Sequence, residues 1–101
     1  MVIADFSIFP VDKGVSLSPY VARVLTIVDK SGLNYTLHAM GTNLEGEYDQ
    51  VMKVIGECFH ELASDCSRIS LSIKIDYRQG MTSRIKSKID TVNRIAGKRL
   101  K

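Results

Sequence analysis

Hydrophobic and polar residues alternate with two different periods along this 101-residue chain, and each period predicts a type of element. From Val2 to Pro10 the period is two, with Ala4, Phe6 and Ile8 on one face. The same period runs through Arg68–Tyr77, where apolar residues alternate with serine, lysine and aspartate. Both segments are therefore predicted to be strands with one face toward the protein core.

Two other segments space their apolar residues by three and four, which predicts amphipathic helices. The first is expected to have Ser18 as its N-cap ahead of Pro19, and to end at Gly32. Its apolar stripe consists of Val21, Val24, Leu25 and Val28. The second begins near Tyr48 and ends around Ser64–Ser67. Its apolar stripe consists of Val51, Val54, Ile55, Cys58, Phe59 and Leu62.

The order of these elements predicts the fold. Asn34–Met40 and Thr42–Glu47 are short strand candidates around a tight turn at Met40-Gly41, which favours an antiparallel hairpin. A strand, a helix, this hairpin, a helix and a strand make an α+β domain of ferredoxin-like βαββαβ topology. Both helices are then expected on one face of an antiparallel sheet. A basic C-terminal helix follows from about Ser83 to Lys98, and residues 1–101 form a single domain.

The sheet face opposite the predicted helices mixes apolar and polar side chains. It carries Ile3, Asp5, Ser7, Phe9, Ser70, Ser72 and Lys74. Such a face is too polar for a core, and its apolar residues are typical of a contact between subunits. We expect a homodimer or homotetramer through this sheet face, with a solvated sheet face as the alternative.

Composition and charge reduce the number of compartments and partners that we expect for this protein. No apolar run approaches the roughly 20 residues of a membrane helix, and the first residues lack the basic start of a signal peptide, so we expect a cytoplasmic protein without membrane contact. The net charge of +3 comes largely from the C-terminal segment. Recognition of RNA by a sheet of this kind needs stacking aromatic residues, whereas the last strand offers Ser70, Ser72 and Lys74, so no nucleic acid is expected as a partner.

Motifs for catalysis and for metal binding are absent from the sequence. His38 and His60 lie on different predicted elements, and no HExxH, GxSxG or Walker loop occurs. The loop after the first strand, Val11–Ser16, lacks the arginine that an acylphosphatase-like site on this fold would need. Cys58 falls on the second apolar stripe and is predicted to be a core residue. We therefore expect no catalysis, no metal and no cofactor.

Three local clusters are candidates for binding. Ser16 and Ser18 bring hydroxyls to a helix N-terminus, which favours anions or polar ligand atoms, unless they serve only to cap the helix. Glu45 lies between Leu44 and Gly46 within a strand, where a carboxylate needs a partner such as a cationic ligand, unless it is a surface residue. The third cluster, Lys74-Ile75-Asp76-Tyr77-Arg78, is either a solvated edge or the mouth of a site.

The same clusters carry a family resemblance. The stretches VSLSPYV, YTLHAMGTNLEGEYDQVM and SIKIDYR, in this order, resemble the small thiamine-binding family of ferredoxin-like proteins, which is related to a tandem-domain bacterial protein that binds thiamine or hydroxymethylpyrimidine. The resemblance implies a dimer or a dimer of dimers and a thiamine-like ligand, with no established catalysis. The ligand-binding residues that it implies are Ser16, Ser18, Thr42, Glu45, Lys74 and Asp76.

Thiamine chemistry is compatible with this set of residues. A carboxylate such as Glu45 suits the thiazolium cation, hydroxyls fix orientation, and an aromatic residue such as Phe9 stacks on a ring. We expect a non-catalytic protein that binds thiamine or its hydroxymethylpyrimidine moiety as a homo-oligomer. The alternative is a structural or regulatory homo-oligomeric module with an unrelated ligand, because ferredoxin-like domains serve many functions.

Overall fold

The elements follow the predicted order in the structure, a computed structural model that describes residues 1–79, 90, 92, 94 and 95. They are β1 (Val2–Pro10), α1 (Ser18–Lys30), β2 (Asn34–His38), β3 (Gly41–Gly46), α2 (Tyr48–Ala63) and β4 (Ile69–Tyr77). The βαββαβ order is confirmed, and the strands form one antiparallel sheet in the order β2-β3-β1-β4. Most of the predicted C-terminal helix, Ser83–Lys98, lies outside the described residues.

The core lies between the helices and one face of this sheet. Alternate residues of β1 (Val2, Ala4, Phe6 and Ile8) face the helices and are buried, as their period of two predicts. The core also contains Val24, Val28, Leu44, Val51, Val54, Ile55, Cys58, Leu62 and Cys66. Burial raises the pKa of the Cys58 thiol to about 12, so this cysteine is an inert core residue.

The first turn of α1 differs from the prediction. Leu17 is the N-cap, Ser18 is already helical, and no side chain caps the first turn. The backbone N–H groups of Tyr20 and Val21 both donate to the Leu17 carbonyl oxygen, so the helix begins one residue earlier than Pro19 suggested. The prediction that Ser18 is the N-cap is therefore wrong, and its hydroxyl is not used to cap the helix.

The outer strands differ from the prediction as well. β2 ends at His38 instead of Met40, which leaves Ala39 and Met40 as the turn before β3. The apolar face of β4 was expected to be buried under the helices, and this is wrong. Leu71, Ile73 and Ile75 remain 36–37% exposed because β4 is at the edge of the sheet. Phe59 was also predicted to belong to the apolar stripe of the second helix, but it is exposed.

Two polar contacts tie the ends of the elements together. Arg23 of α1 holds Asp65, just after α2, with two N–H···O hydrogen bonds of 3.0 Å, and its Nε donates to Glu61 at 3.2 Å. The Asp12 carboxylate, in the loop after β1, accepts hydrogen bonds from the backbone N–H and the hydroxyl of Ser67 at 2.8 and 2.7 Å. This second contact fixes the β1–α1 loop to the segment that leads into β4.

These contacts predict that the fold is sensitive to acid. The Ser67 N–H and hydroxyl hold the pKa of Asp12 below its ordinary value of 3.8, and the Arg23 guanidinium lowers the pKa of Asp65 likewise. A folded-state pKa below the unfolded value contributes stability above about pH 4, and this stability is lost as the pH falls. We expect Asp12→Asn to lower the free energy of unfolding near neutral pH, and to flatten its decline between about pH 5 and pH 3. Urea unfolding at several pH values measures both; an equally steep decline in the variant would contradict the prediction.

Candidate functional site

A notch in the sheet forms a cleft among the described residues. The ladder between β1 and β3 ends at the pair Phe6 and Thr42, whereas β1 itself continues to Pro10. Ser7–Phe9 pairs with β4 on one side and has no strand on the other side in this part of the chain. A cleft of about 310 Å³ lies at this notch, between the end of β1, the N-terminal half of α1 and the β2–β3 turn.

Apolar side chains of α1 form one wall of the cleft. Val24 and Val28 of the predicted stripe are buried in the core, and Val21, Val24 and Leu25 line the cleft together with Leu17. The stripe is thus wider than the core requires, and its outer half is left for the cleft. A volume of about 300 Å³ is at the small end of ordinary ligand pockets, and mostly apolar walls with few polar groups are typical of them.

Thr42 supplies a polar group in this apolar surrounding. Its residue is only 5% exposed, and its hydroxyl makes no hydrogen bond within the described residues. Next to it, Gly41 comes so close to β1 that a Cβ atom there would lie 2.6 Å from the Phe6 carbonyl oxygen. The strand can therefore bring Thr42 against the end of β1 only with glycine at position 41.

His38 forms the side of the cleft next to the β2–β3 turn. Its Nε2 lies 2.8 Å from the Asp5 carboxylate, and its Nδ1 accepts the backbone N–H of Met40 at 3.3 Å. An Nδ1 that accepts a hydrogen bond carries no proton, so Nε2–H is the donor to Asp5. The pair crosses the sheet from β2 to β1 and holds the turn beside the cleft.

Ser16 and Ser18 lie at the opposite rim. Both are exposed, and they flank Leu17, which lines the cleft. The Tyr20 and Val21 N–H groups donate to the Leu17 carbonyl oxygen, and Pro19 has no N–H. Within the first turn of this 13-residue helix, the Ser18 N–H is therefore the group left without a side-chain cap beside the apolar wall. Polar or anionic atoms of a ligand are favoured at such a helix end.

A second polar group lies on the open face, the name used here for the sheet face opposite the helices. Glu45 is 4% exposed, and its Oε1 accepts a hydrogen bond from Asn34 Nδ2 at 3.0 Å. The register places Glu45 and Asp76 on either side of Ile3, and places Lys74 beside Asp5. Glu45, Lys74 and Asp76 therefore share one surface.

The structure divides the predicted ligand-binding residues between two places. Phe9 and Thr42 line the cleft, and Ser16 and Ser18 lie at its rim. Glu45, Lys74 and Asp76 lie on the open face. Thr42 and Glu45 are separated by three positions in one strand, so their side chains point to opposite faces of the sheet. That parity could have been read from the sequence, whereas the contributions of Val21, Leu25 and His38 depend on the notch.

Other types of site find no support in the described part of the chain. Its histidine, cysteine, aspartate and glutamate side chains do not gather in threes or more in a way that would hold a metal ion. Neither of its helices has the length and apolar character needed to cross a bilayer.

The comparison with protein families decides the relationship. A family model described as thiamine-binding protein matches residues 4–93. The chain belongs to the thiamine-binding protein family. The matched range contains both the cleft and the charged group on the open face, so membership rests on the whole fold rather than on one motif.

Several proteins are similar to this chain in sequence or in structure over most of their length. The UPF0045 protein MJ1052 of Methanocaldococcus jannaschii is 34% identical over 94 residues, which cover 93% of this chain and 94% of that protein. Its crystal structure has a TM-score of 0.84 at 35% identity, over 91% of this chain and 95% of that one. The UPF0045 protein YqgV of Bacillus subtilis is 34% identical over 101 aligned residues, covering 93% and 96% of the two chains.

A fourth similarity shows the fold alone. The crystal structure of a Thermotoga maritima protein, proposed to act in thiamine biosynthesis or salvage, has a TM-score of 0.80. The identity is 23%, over 90% of this chain and 97% of that one. The βαββαβ arrangement is thus common to distant sequences, while the residues of a site have to be argued from this chain itself.

Proposed function

We propose that this protein is a non-catalytic binding protein for thiamine or its hydroxymethylpyrimidine moiety, that it acts as a homo-oligomer, and that the ligand occupies the cleft. The observation that carries this proposal is Thr42, a nearly buried residue at an apolar cleft whose hydroxyl makes no hydrogen bond in the described residues. The residue is nearly buried but its hydroxyl oxygen is not fully so, and an accessible hydroxyl in apolar surroundings favours a ligand that is mostly flat and apolar but offers a polar edge.

The shape and chemistry of the cleft suit a small aromatic ring. The aminopyrimidine ring would lie against Val21 and Leu25, with its polar edge at Thr42. Phe9 lines the end of the cleft, but alternation along β1 places its side chain on the open face, so the thiazolium ring would contact the apolar wall formed by α1 instead. The hydroxyethyl tail or a phosphate would extend toward the uncapped N-terminus of α1, beside Ser16 and Ser18.

Family membership supports this choice of ligand over an unrelated one. The matching family is described as thiamine-binding protein, and a structural neighbour is proposed to act in thiamine biosynthesis or salvage. The homo-oligomer is proposed because Ile3 and Phe9 are only partly buried within one chain and lie on the open face. A second copy on that face would cover them both.

The test is titration calorimetry of the full chain with thiamine and with hydroxymethylpyrimidine. Thr42→Val keeps the shape of the side chain and removes the hydroxyl, so affinity for both ligands should fall by roughly three- to tenfold, the usual worth of one hydrogen bond. Thr36→Val is the matched control, since Thr36 is exposed on the neighbouring strand β2. Equal affinities for the wild type and Thr42→Val would contradict the proposed site, and no binding of either ligand would contradict the proposed function.

A second variant separates the cleft from the open face. Glu45→Gln removes the carboxylate charge on the open face and keeps an oxygen that accepts the hydrogen bond from Asn34. With the ligand in the cleft, thiamine affinity should change less than about twofold. A loss of roughly ten- to a hundredfold for thiamine, with little loss for the uncharged hydroxymethylpyrimidine, would instead place the thiazolium cation beside Glu45.

A further inference from the structure

A second cleft lies between the two helices, away from the cleft proposed above for thiamine. It has a volume of about 430 Å³ and is bordered by the last turn of α1, the residues that follow it and the N-terminal part of α2. The first cleft uses the N-terminal half of α1 instead, and the two clefts share no lining residue. The second cleft is within the usual size range of small-molecule sites, and the proposed function leaves it unused.

The floor of the second cleft is apolar and is held by the core. Ile27 and Leu33 are partly buried and pack against the core, and Val54 is buried within it. The Leu33 side chain also lies against Gly46 of β3, where an added Cβ atom would be 3.2 Å from it. These contacts fix the floor, which therefore offers a preformed apolar surface to the organic part of a ligand.

Two lysines from different helices border this cleft. Lys30 is in the last turn of α1 and Lys53 is on α2, and both are exposed. Neither ammonium group has an ion pair or a hydrogen bond within the described residues, although Glu57 follows Lys53 by one helical turn and also lines the cleft. Two positive charges at one opening create a local potential that attracts anions.

Gln50, in the first turn of α2, supplies a third donor. Its Oε1 accepts the backbone N–H of Glu47 at 3.3 Å, which leaves the Nε2 hydrogens of the amide for a ligand. The Ser31 hydroxyl, in contrast, donates to the Val28 carbonyl oxygen and accepts the Leu33 N–H, so it has no hydrogen left to donate. The side-chain donors that line the cleft are thus two ammonium groups and one amide.

The helix ends at the second cleft also favour an anion. The first turn of α2 is the positive end of the dipole of that helix. The last turn of α1 is a negative end, but its final carbonyl oxygens accept N–H groups from Ser31 and Gly32, and Lys30 lies beside them. The negative end is therefore largely compensated, whereas the positive end remains beside the three donors.

We propose that the second cleft binds a phosphate monoester of a small, partly apolar organic group. A phosphate monoester has three terminal oxygens and close to two negative charges at neutral pH, which matches three donors of which two are charged. Its organic group would lie on Ile27 and Leu33, where a hydroxyl or amino group could donate to Glu57. A carboxylate has two oxygens and one charge, and would leave one of the donors unused.

Titration calorimetry of the full chain with phenyl phosphate tests the charge of the site. The dissociation constant should rise about tenfold in Lys30→Gln and in Lys53→Gln, because each variant removes one charged hydrogen bond. Glu57→Gln removes a like charge and should lower the dissociation constant about threefold. Lys13→Gln, an exposed control in the β1–α1 loop with the same change in net charge as the lysine variants, should differ from the wild type by less than about twofold.

Phenyl sulfate provides the matched probe, since it has the same shape and three terminal oxygens but a single negative charge. Its dissociation constant should be about tenfold higher than that of phenyl phosphate. Equal affinities for the two probes, or equal weakening in Lys13→Gln and in the two cleft variants, would overturn the proposal. The absence of saturable phenyl phosphate binding to the wild type would overturn it as well.

Amide chemical shifts of the isotope-labelled chain locate the probe and separate this site from the first cleft. Phenyl phosphate should shift the amide signals of Ser31, Leu33 and Lys53 and leave those of Gly41 and Thr42 in place. Saturating hydroxymethylpyrimidine should not change the affinity for phenyl phosphate, so either proposal can fail without the other. Shifts confined to Gly41 and Thr42, or competition between the two ligands, would place the phosphate in the first cleft and overturn this inference.

Discussion

Replacing Gly41 by alanine is expected to lower the free energy of unfolding by about 1–3 kcal/mol, the usual cost of forcing extra atoms into a tightly packed position. The added Cβ would lie 2.6 Å from the Phe6 carbonyl oxygen, a backbone atom that cannot rotate away. β3 would have to move from β1 at the pair Phe6 and Thr42, where the cleft begins. Affinity for thiamine should therefore fall together with stability.

Gly56→Ala is the matched control and should have the opposite sign. Gly56 lies within α2, and a Cβ added there meets no atom within 4 Å. Alanine in a helix is more favourable than glycine by roughly 0.5–1 kcal/mol, so this variant should be more stable than the wild type. Urea unfolding of both variants measures the difference in their free energies of unfolding. Equal effects would mean that the close contact with Phe6 is not the reason that position 41 requires glycine.

Leu44→Ala is expected to have the largest effect on stability, a loss of about 2–5 kcal/mol. Leu44 is fully buried in the central strand β3, where it faces Ala4 on β1 and Tyr35 on β2, so removing its side chain leaves a cavity. Domains of this size have a total stability of about 5–15 kcal/mol. The melting temperature should therefore fall by roughly 10 °C or more, since each kcal/mol is worth about 4–8 °C.

Leu37→Ala serves as the control for Leu44→Ala. The same atoms are removed from the neighbouring strand β2, at a position that is 52% exposed. A substitution at such a site usually changes the free energy of unfolding by less than about 0.5 kcal/mol. Differential scanning calorimetry of both variants decides the matter; similar losses would show that Leu44 is not the better-packed residue.

Sequence periodicity was sufficient for the order and type of the described elements. The period of two in β1 determined which residues enter the core, because adjacent side chains of a strand must point to opposite faces. The stripe of α2 predicted Val51, Val54, Ile55, Cys58 and Leu62 as buried, and all of them are. These rules hold within one element and do not require knowledge of its neighbours, so a single sequence carries them.

Local pattern did not determine how far each strand is covered. β4 has the most regular alternation in the chain, yet its apolar residues remain partly exposed. Alternation indicates that the two faces of a strand differ in polarity. Whether the apolar face is buried depends on which elements pack against it. β4 is the edge strand in the order β2-β3-β1-β4, and this position follows from the crossovers rather than from its own residues.

The candidate site shows the same division more sharply. The sequence by itself determined which residue types were available, including Thr42, Glu45, Ser16 and Ser18, and the motifs that carry the family resemblance. Only the tertiary structure decided that Thr42 lines a cleft and that Val21 and Leu25 face the end of β1. The physical reason is that β3 begins at Gly41 while β1 continues to Pro10, and this mismatch in strand length creates a cleft that neither strand encodes alone.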